Sequence, residues 1–224
     1  MTSPTRALSI ALVALCIPAR AVWAQEPPAY AKNGVYVAAA AIPDFTLDGV
    51  TFDGASAYQL EGSEEIIILP RLAPKTTVRG IVGLRSTRGS FEIGYEQTKH
   101  VGTFADLAGE ATFHSLSFDE RIYFLTRGRI QPYALAGLGA PWLTVRDGSF
   151  LEGDVADATY RGFGVNTEGG VTVFAHPRLG ISAGYRYRAM WFDKASGVSQ
   201  SSHPLRPRFR ETTGNLVING FFTF

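Results

Sequence analysis

His114, Ser115 and Ser117 are the residues whose types come nearest to a hydrolytic set, with serine as nucleophile and histidine as base acting on a lipid ester. Their spacing argues against it. His114 and Ser115 are adjacent, so on a strand they point to opposite faces and do not form a dyad. The chain has no Gly-x-Ser-x-Gly elbow, no His-Glu-x-x-His and no glycine-rich phosphate loop. His100, His176 and His203 fall in separate connections. The only cysteine is Cys16, inside an amino-terminal segment that reads as removable, so the remaining chain offers no thiol for a disulfide, a metal or a nucleophile. We expect no catalytic, cofactor-binding or metal-binding set, and no enzyme.

A second group of residues carries electrostatic chemistry. Arg79, Arg85, Glu92, Glu96, Asp119, Arg121, Glu168, Arg186 and Arg188, with Asn166, Asn215 and Asn219, share faces of segments that alternate with period two. Both signs occur on neighbouring segments, so they can pair if one enclosed surface gathers them.

The segments that must position them are strand-like. Eight can be placed, at 34–42, 77–85, 90–98, 112–124, 131–145, 161–174, 179–192 and 214–224. The last is the clearest. Counting back in twos from Phe224 gives Phe222, Gly220, Ile218, Leu216 and Gly214, while the other face reads Thr223, Phe221, Asn219, Val217 and Asn215. An apolar face opposite a largely polar one, with an aromatic at the end, is the pattern of a strand between lipid and a wet interior.

The amino terminus resembles a secretory signal. Arg6 supplies a positive start, Ala7 to Ile17 is an apolar run of about eleven residues, and Ala24 is a small residue at the expected cleavage position. The run is shorter than the roughly 20 residues of a spanning helix. Residues 1–24 therefore read as a signal peptide and 25–224 as one domain. Only helices and closed barrels satisfy every backbone group in lipid, so an exported chain with apolar-faced strands and no spanning helix reads as a barrel. Lys and Arg (21) nearly balance Asp and Glu (20), which gives no charge excess for nucleic acid.

The connections alternate in length. Those at 86–89, 125–130 and 175–178 are short, while those at 43–76, 99–111, 146–160 and 193–211 are long. Short periplasmic turns alternating with long outer loops accompany spanning barrels. The first long loop is acidic (Asp44, Asp48, Asp53, Glu61, Glu64, Glu65), the third is acidic (Asp147, Glu152, Asp154, Asp157), and the fourth is basic (Lys194, Arg206, Arg208, Arg210). These loops can pair with each other, or meet divalent ions and lipopolysaccharide phosphates. Glu64 to Leu69 reads as a strand above the membrane.

Trp142, Tyr160, Phe163, Tyr187, Trp191 and Phe192 are expected in an outer aromatic girdle, and Tyr36, Phe124, Tyr133, Phe174, Phe222 and Phe224 in an inner one. Two places fit less well. Glu120 falls on the lipid face unless a bulge or a shallow position relieves it. Pro141 should interrupt the fifth strand, ending its membrane part near Ala140.

Gly34-Val35-Tyr36-Val37, Pro132-Tyr133-Ala134-Leu135-Ala136-Gly137-Leu138-Gly139, Ala183-Gly184-Tyr185-Arg186-Tyr187 and the terminal Phe222-Thr223-Phe224 resemble the small OmpA/OmpX-type outer membrane β-barrel family across essentially all of 25–224. The resemblance implies an all-β, eight-stranded antiparallel up-and-down transmembrane barrel in the cell outer membrane. It also implies insertion by the barrel assembly machinery, which reads the last strand through Phe222 and Phe224. The family usually places glycine five residues before the terminal aromatic, where Asn219 stands here beside Gly220. We expect no peptidoglycan-binding domain after the barrel, so that anchoring role is not carried over.

An eight-stranded barrel is just wide enough for side chains to fill it. The charge set therefore reads as an internal plug, and the function as structural support of the envelope or surface contact, with lipid and lipopolysaccharide as neighbours and an external ligand of the loops left open. The alternative is a narrow pore for ions or small solutes, and a lipid-modifying enzyme ranks below both.

Overall fold

The computed structural model describes residues 29–45, 57–59, 66–68, 71–72, 75–104, 107–150, 154–197 and 209–224. The signal segment lies outside them, as do Asp48, Asp53, Glu61, Glu64, Glu65, Glu152, Arg206 and Arg208.

Eight long strands follow one another: β1 Gly34–Phe45, β2 Lys75–Arg85, β3 Gly89–Phe104, β4 Leu107–Tyr123, β5 Ile130–Phe150, β6 Asp154–His176, β7 Leu179–Gly197 and β8 Phe209–Thr223. Each pairs antiparallel with its sequence neighbour, and β1 also pairs with β8, from Tyr36↔Thr223 to Ala41↔Ile218. The sheet is closed. It is the eight-stranded antiparallel up-and-down barrel that the alternation predicts, and no helix occurs among the described residues.

The distribution of polarity is inverted relative to a soluble protein. Val78, Val82 and Leu84 on β2, Phe91 and Ile93 on β3, and Leu216 and Ile218 on β8 are exposed on the outside. Arginines, carboxylates and amides are buried within. Fully burying one such apolar side chain is worth about 1.5–3 kcal/mol, so this exterior matches hydrocarbon rather than water.

Three findings depart from the sequence expectations. First, the second and third long connections are mostly strand: β3 and β4 stay paired to Phe104↔Leu107, and β5 and β6 to Phe150↔Asp154. A strand that has left lipid no longer needs an apolar alternate face, so the period-two signal stops before the ladder does. Second, the pairing of β5 with β6 does break at Ala140 and Pro141, but β5 does not end there: Pro141 lies opposite Ser115 on β4, and the β5–β6 register resumes unshifted at Trp142↔Arg161. Proline removes one donor but leaves its carbonyl available. Third, Tyr160 and Phe192 of the outer girdle and Tyr36, Tyr133 and Phe174 of the inner one are buried in the interior. Tyr160 and Phe174 share parity with Glu168, Phe192 with Arg186, Tyr36 with buried Ala40 and Ile42, and Tyr133 with buried Gln131 and Leu135; parity decides the face.

The first connection contributes a short hairpin, Ala57–Gln59 with Ile66–Ile68, and Arg71–Leu72 pairs with the outer part of β3. Glu120 is on the exterior between Phe118 and Ile122, with no bulge on either side of it. It is three residues from the end of β4 at Tyr123. At about 3.3 Å per residue and a tilt of about 40° it lies about 8 Å inside the turn end, so the shallow position, not a bulge, relieves it. A carboxylate at that depth costs about 1 kcal/mol or less. Glu120→Leu should therefore raise the urea stability of the lipid-reconstituted protein by up to about 1 kcal/mol; a loss of stability would mean that the carboxylate makes a contact the fold needs.

Candidate functional site

All nine charges that the sequence places in the interior are buried there. From the turn end upward they form layers. Arg85 is lowest. Its Nη2 donates to Gln131 Oε1 at 2.6 Å, and its guanidinium lies over the Tyr123 ring at 3.8 Å and the Phe174 ring at 4.9 Å. Gln131 in turn donates to the Thr126 and Gly128 carbonyls at 3.1 and 3.0 Å, tying Arg85 to the β4–β5 turn.

Above it, Arg121 Nε meets Glu92 Oε1 at 2.8 Å and its guanidinium covers the Tyr133 ring at 4.2 Å. Tyr133 donates its hydroxyl to Glu168 Oε1 at 2.6 Å, and Arg186 Nε donates to Glu168 Oε2 at 2.7 Å. Tyr36 donates to Ser90, which donates to Glu92, each at 3.3 Å. Arg79 pairs with Asp119 and donates to Ser117 Oγ at 2.7 Å, and Asn166 donates to Asp119 Oδ1 at 3.1 Å. Highest is Arg188, which grips both oxygens of Glu96 and lies over the rings of Phe45 and Phe113 at 5.5 and 6.0 Å. Every carboxylate of the set thus touches an arginine. Arg85 alone has rings and an amide instead, a substitute that its delocalised cation accepts.

Both ends are filled by residues that sequence reasoning did not assign to the interior. At the hairpin end Ile42, Phe45, Phe113, Tyr160, Met190 and Phe192 form an apolar cluster. Parity was the available signal for all but Phe45, which a register shift after Ile42 turns inward against the alternation of β1; for Tyr160 and Phe192 that signal was masked by the expectation of a girdle. At the turn end, residues 30–33 cross the mouth. Tyr30 N donates to the Thr126 carbonyl at 2.9 Å, Lys32 N to the Pro177 carbonyl at 2.8 Å, and Asn33 Nδ2 to Thr87 Oγ1 at 3.2 Å. The segment therefore touches all three short turns. Ala31 is buried, and the Tyr30 ring packs edge-on to Phe174 at 6.2 Å. No period-two pattern marks such a strap.

Glycines make room for these layers. A side chain at Gly94 would strike the Arg79 guanidinium, and one at Gly184 would strike the Tyr133 hydroxyl. The hydrolytic candidates are not brought together. His114 is on the outside, sharing a 2.8 Å hydrogen bond with Tyr95 and stacking on Trp142 at 5.0 Å, whereas Ser115 and Ser117 are buried within. Phe222 is exposed on the outer face of β8, and Phe224, just past the strand's end, is exposed too, their rings edge-to-face at 5.4 Å.

Gly94→Leu should displace Arg79, leave Asp119 without its cation and destabilise the folded barrel by about 3 kcal/mol. Gly80→Ala, whose added carbon meets nothing within 4 Å, should stay within about 0.5 kcal/mol. Urea titrations of the two variants in lipid vesicles check this, and equal effects would mean that the Arg79 pocket is not tightly packed.

Comparison with family models and with curated protein sequences finds no match. Among solved structures, the chain is similar to Neisserial surface protein A, with a TM-score of 0.51 and 21% identity over 85% of this chain and 97% of that one. It is also similar to the outer membrane protein AlkL, solved in lipid bilayers, with a TM-score of 0.50 and 10% identity over 92% and 96% of the two chains. Closure, strand count, inverted polarity and these likenesses agree: the chain has the fold of the small eight-stranded outer membrane β-barrels.

Proposed function

We propose that this protein is a cell outer membrane barrel that works as a structural and surface-presenting element, not as a conduit. The observation that carries this reading is the filling of the interior at three levels: a strap under the turn end, paired charges through the middle and an apolar cluster at the hairpin end. An ion entering would have to part several buried pairs at once, and breaking one costs about 3–5 kcal/mol. What remains available for contact is the outside. The apolar band faces lipid, and the paired hairpins β3–β4 and β5–β6 project beyond it.

In this reading residues 1–24 direct export and are removed, Phe222 and Phe224 present the last strand to the barrel assembly machinery, and the hairpin end meets lipopolysaccharide and external partners. The absence of a joined Ser–His pair among the described residues supports a non-enzymatic role. Support of the envelope or surface contact is the function that a rigid, filled barrel serves without moving parts.

Planar-bilayer recording of the refolded protein tests the reading. We expect no discrete conductance steps. Well-defined open states that change when Arg186 or Glu168 is replaced by alanine would establish a narrow pore instead.

A further inference from the structure

The four segments that form the turn end, residues 29–33, 86–88, 124–129 and 177–178, carry Lys32, Arg88, Arg127, Arg129 and Arg178 and no Asp or Glu. The turn end is thus wholly basic in a chain that is nearly neutral overall. Arg127, Arg129 and Arg178 are exposed and form no ion pair among the described residues. Each lies next to, or two residues from, an exposed apolar side chain at the lower edge of the lipid-facing band: Leu125, Ile130 and Leu179. Arg129 also lies over the Tyr30 ring at 5.6 Å, which holds it against the rim.

A cation on a long stem beside an apolar residue at the edge of a membrane surface buries its methylenes and leaves its charge at headgroup depth. The groups at that depth are lipid phosphates, and a guanidinium matches a phosphate with two parallel hydrogen bonds. We propose that the turn end is a binding rim for anionic phospholipids of the periplasmic leaflet, with Arg127, Arg129 and Arg178 as the principal phosphate contacts. The proposal rests on the membrane reading of the barrel and adds a preferred lipid class and the residues that select it. The rim belongs to the three turns and not to the lumen, so its loss leaves the interior pairs intact. The carboxylates of the cell-wall polymer are the competing anion, but the apolar residues interleaved with the arginines fit a lipid surface better than a hydrated polymer.

The test uses the full barrel in neutral detergent and native mass spectrometry with added phosphatidylglycerol, cardiolipin or phosphatidylcholine. Wild type should retain the two anionic lipids at least tenfold more tightly than phosphatidylcholine. A triple variant, Arg127→Gln with Arg129→Gln and Arg178→Gln, should lose that preference, since each basic residue near an anionic surface contributes roughly a fivefold effect. The corresponding triple lysine variant should keep most of it. Unchanged heat-dependent migration of the glutamine variant would show that it folds. If it does not fold, the wild-type preference must still fall with added salt. Equal retention of all three lipids, or a preference that the variant and salt both leave intact, overturns the proposal. Arginine-dependent co-sedimentation with isolated cell-wall sacculi, without lipid preference, overturns it in favour of the polymer. Failure of wild type to enter vesicles of any composition would overturn the membrane reading itself, and the rim with it.

Discussion

The pairing of β1 with β8 is the contact on which the rest of this structure depends. In lipid no water completes an open sheet edge, and each unsatisfied backbone group costs several kcal/mol. The ladder from Tyr36↔Thr223 to Ala41↔Ile218 removes both edges at once. It also creates an inside. Without closure, Arg79, Arg121, Arg186 and Arg188 would have no enclosed surface on which to meet Asp119, Glu92, Glu168 and Glu96. The position of Phe224 follows from the same seam, because its backbone N–H donates to the Val35 carbonyl at 2.9 Å across it.

Closure then imposes a size. Eight strands leave space for side chains and little else, so the interior composition is a packing problem with charges in it. The solution is to let each large group lie against a small one. Arg79 occupies the space over Gly94, and the Tyr133 hydroxyl sits where Gly170 and Gly184 have no side chains. Aromatic rings serve a second purpose by covering the faces of Arg85 and Arg121, which have more donors than carboxylates to accept them. A filled lumen of this kind makes the barrel a rigid object. In the proposed reading its chemistry with the surroundings is confined to the lipid-facing wall, the hairpin end and the rim of turns.

Much of this was legible in the residues, for one physical reason. A strand between lipid and a polar interior must alternate, and alternation survives in the sequence. The terminal segment, the eight strands and the nine buried charges were all read from parity. What was not legible is whatever does not alternate. The outer halves of β3 to β6 are held by backbone hydrogen bonds that no side-chain pattern records. The strap at 30–33 is an irregular segment whose contacts with Thr87, Thr126 and Pro177 exist only once the turns are side by side. Tyr160 and Phe192 were expected at the membrane surface because they stand near strand ends, although their parity with Glu168 and Arg186 points inward. Where closeness to a boundary and parity disagree, parity holds, since a one-residue slip would turn a whole strand inside out.

Closure can be tested covalently at the seam. Ala41 and Ile218 are paired across β1 and β8 and both face outward. Directly opposed residues in an antiparallel pair have α-carbons about 4.5–5.5 Å apart, within the reach of a disulfide. With Cys16 in the segment expected to be removed, the chain carrying Ala41→Cys and Ile218→Cys has no competing thiol. A closed barrel should form an intramolecular cross-link in the membrane fraction under oxidising conditions, detected as a monomer whose unfolded form migrates faster until it is reduced. No cross-link at this pair, or efficient cross-linking of Ala41→Cys only to a cysteine two or more residues away from 218, would contradict the closed barrel and everything built inside it.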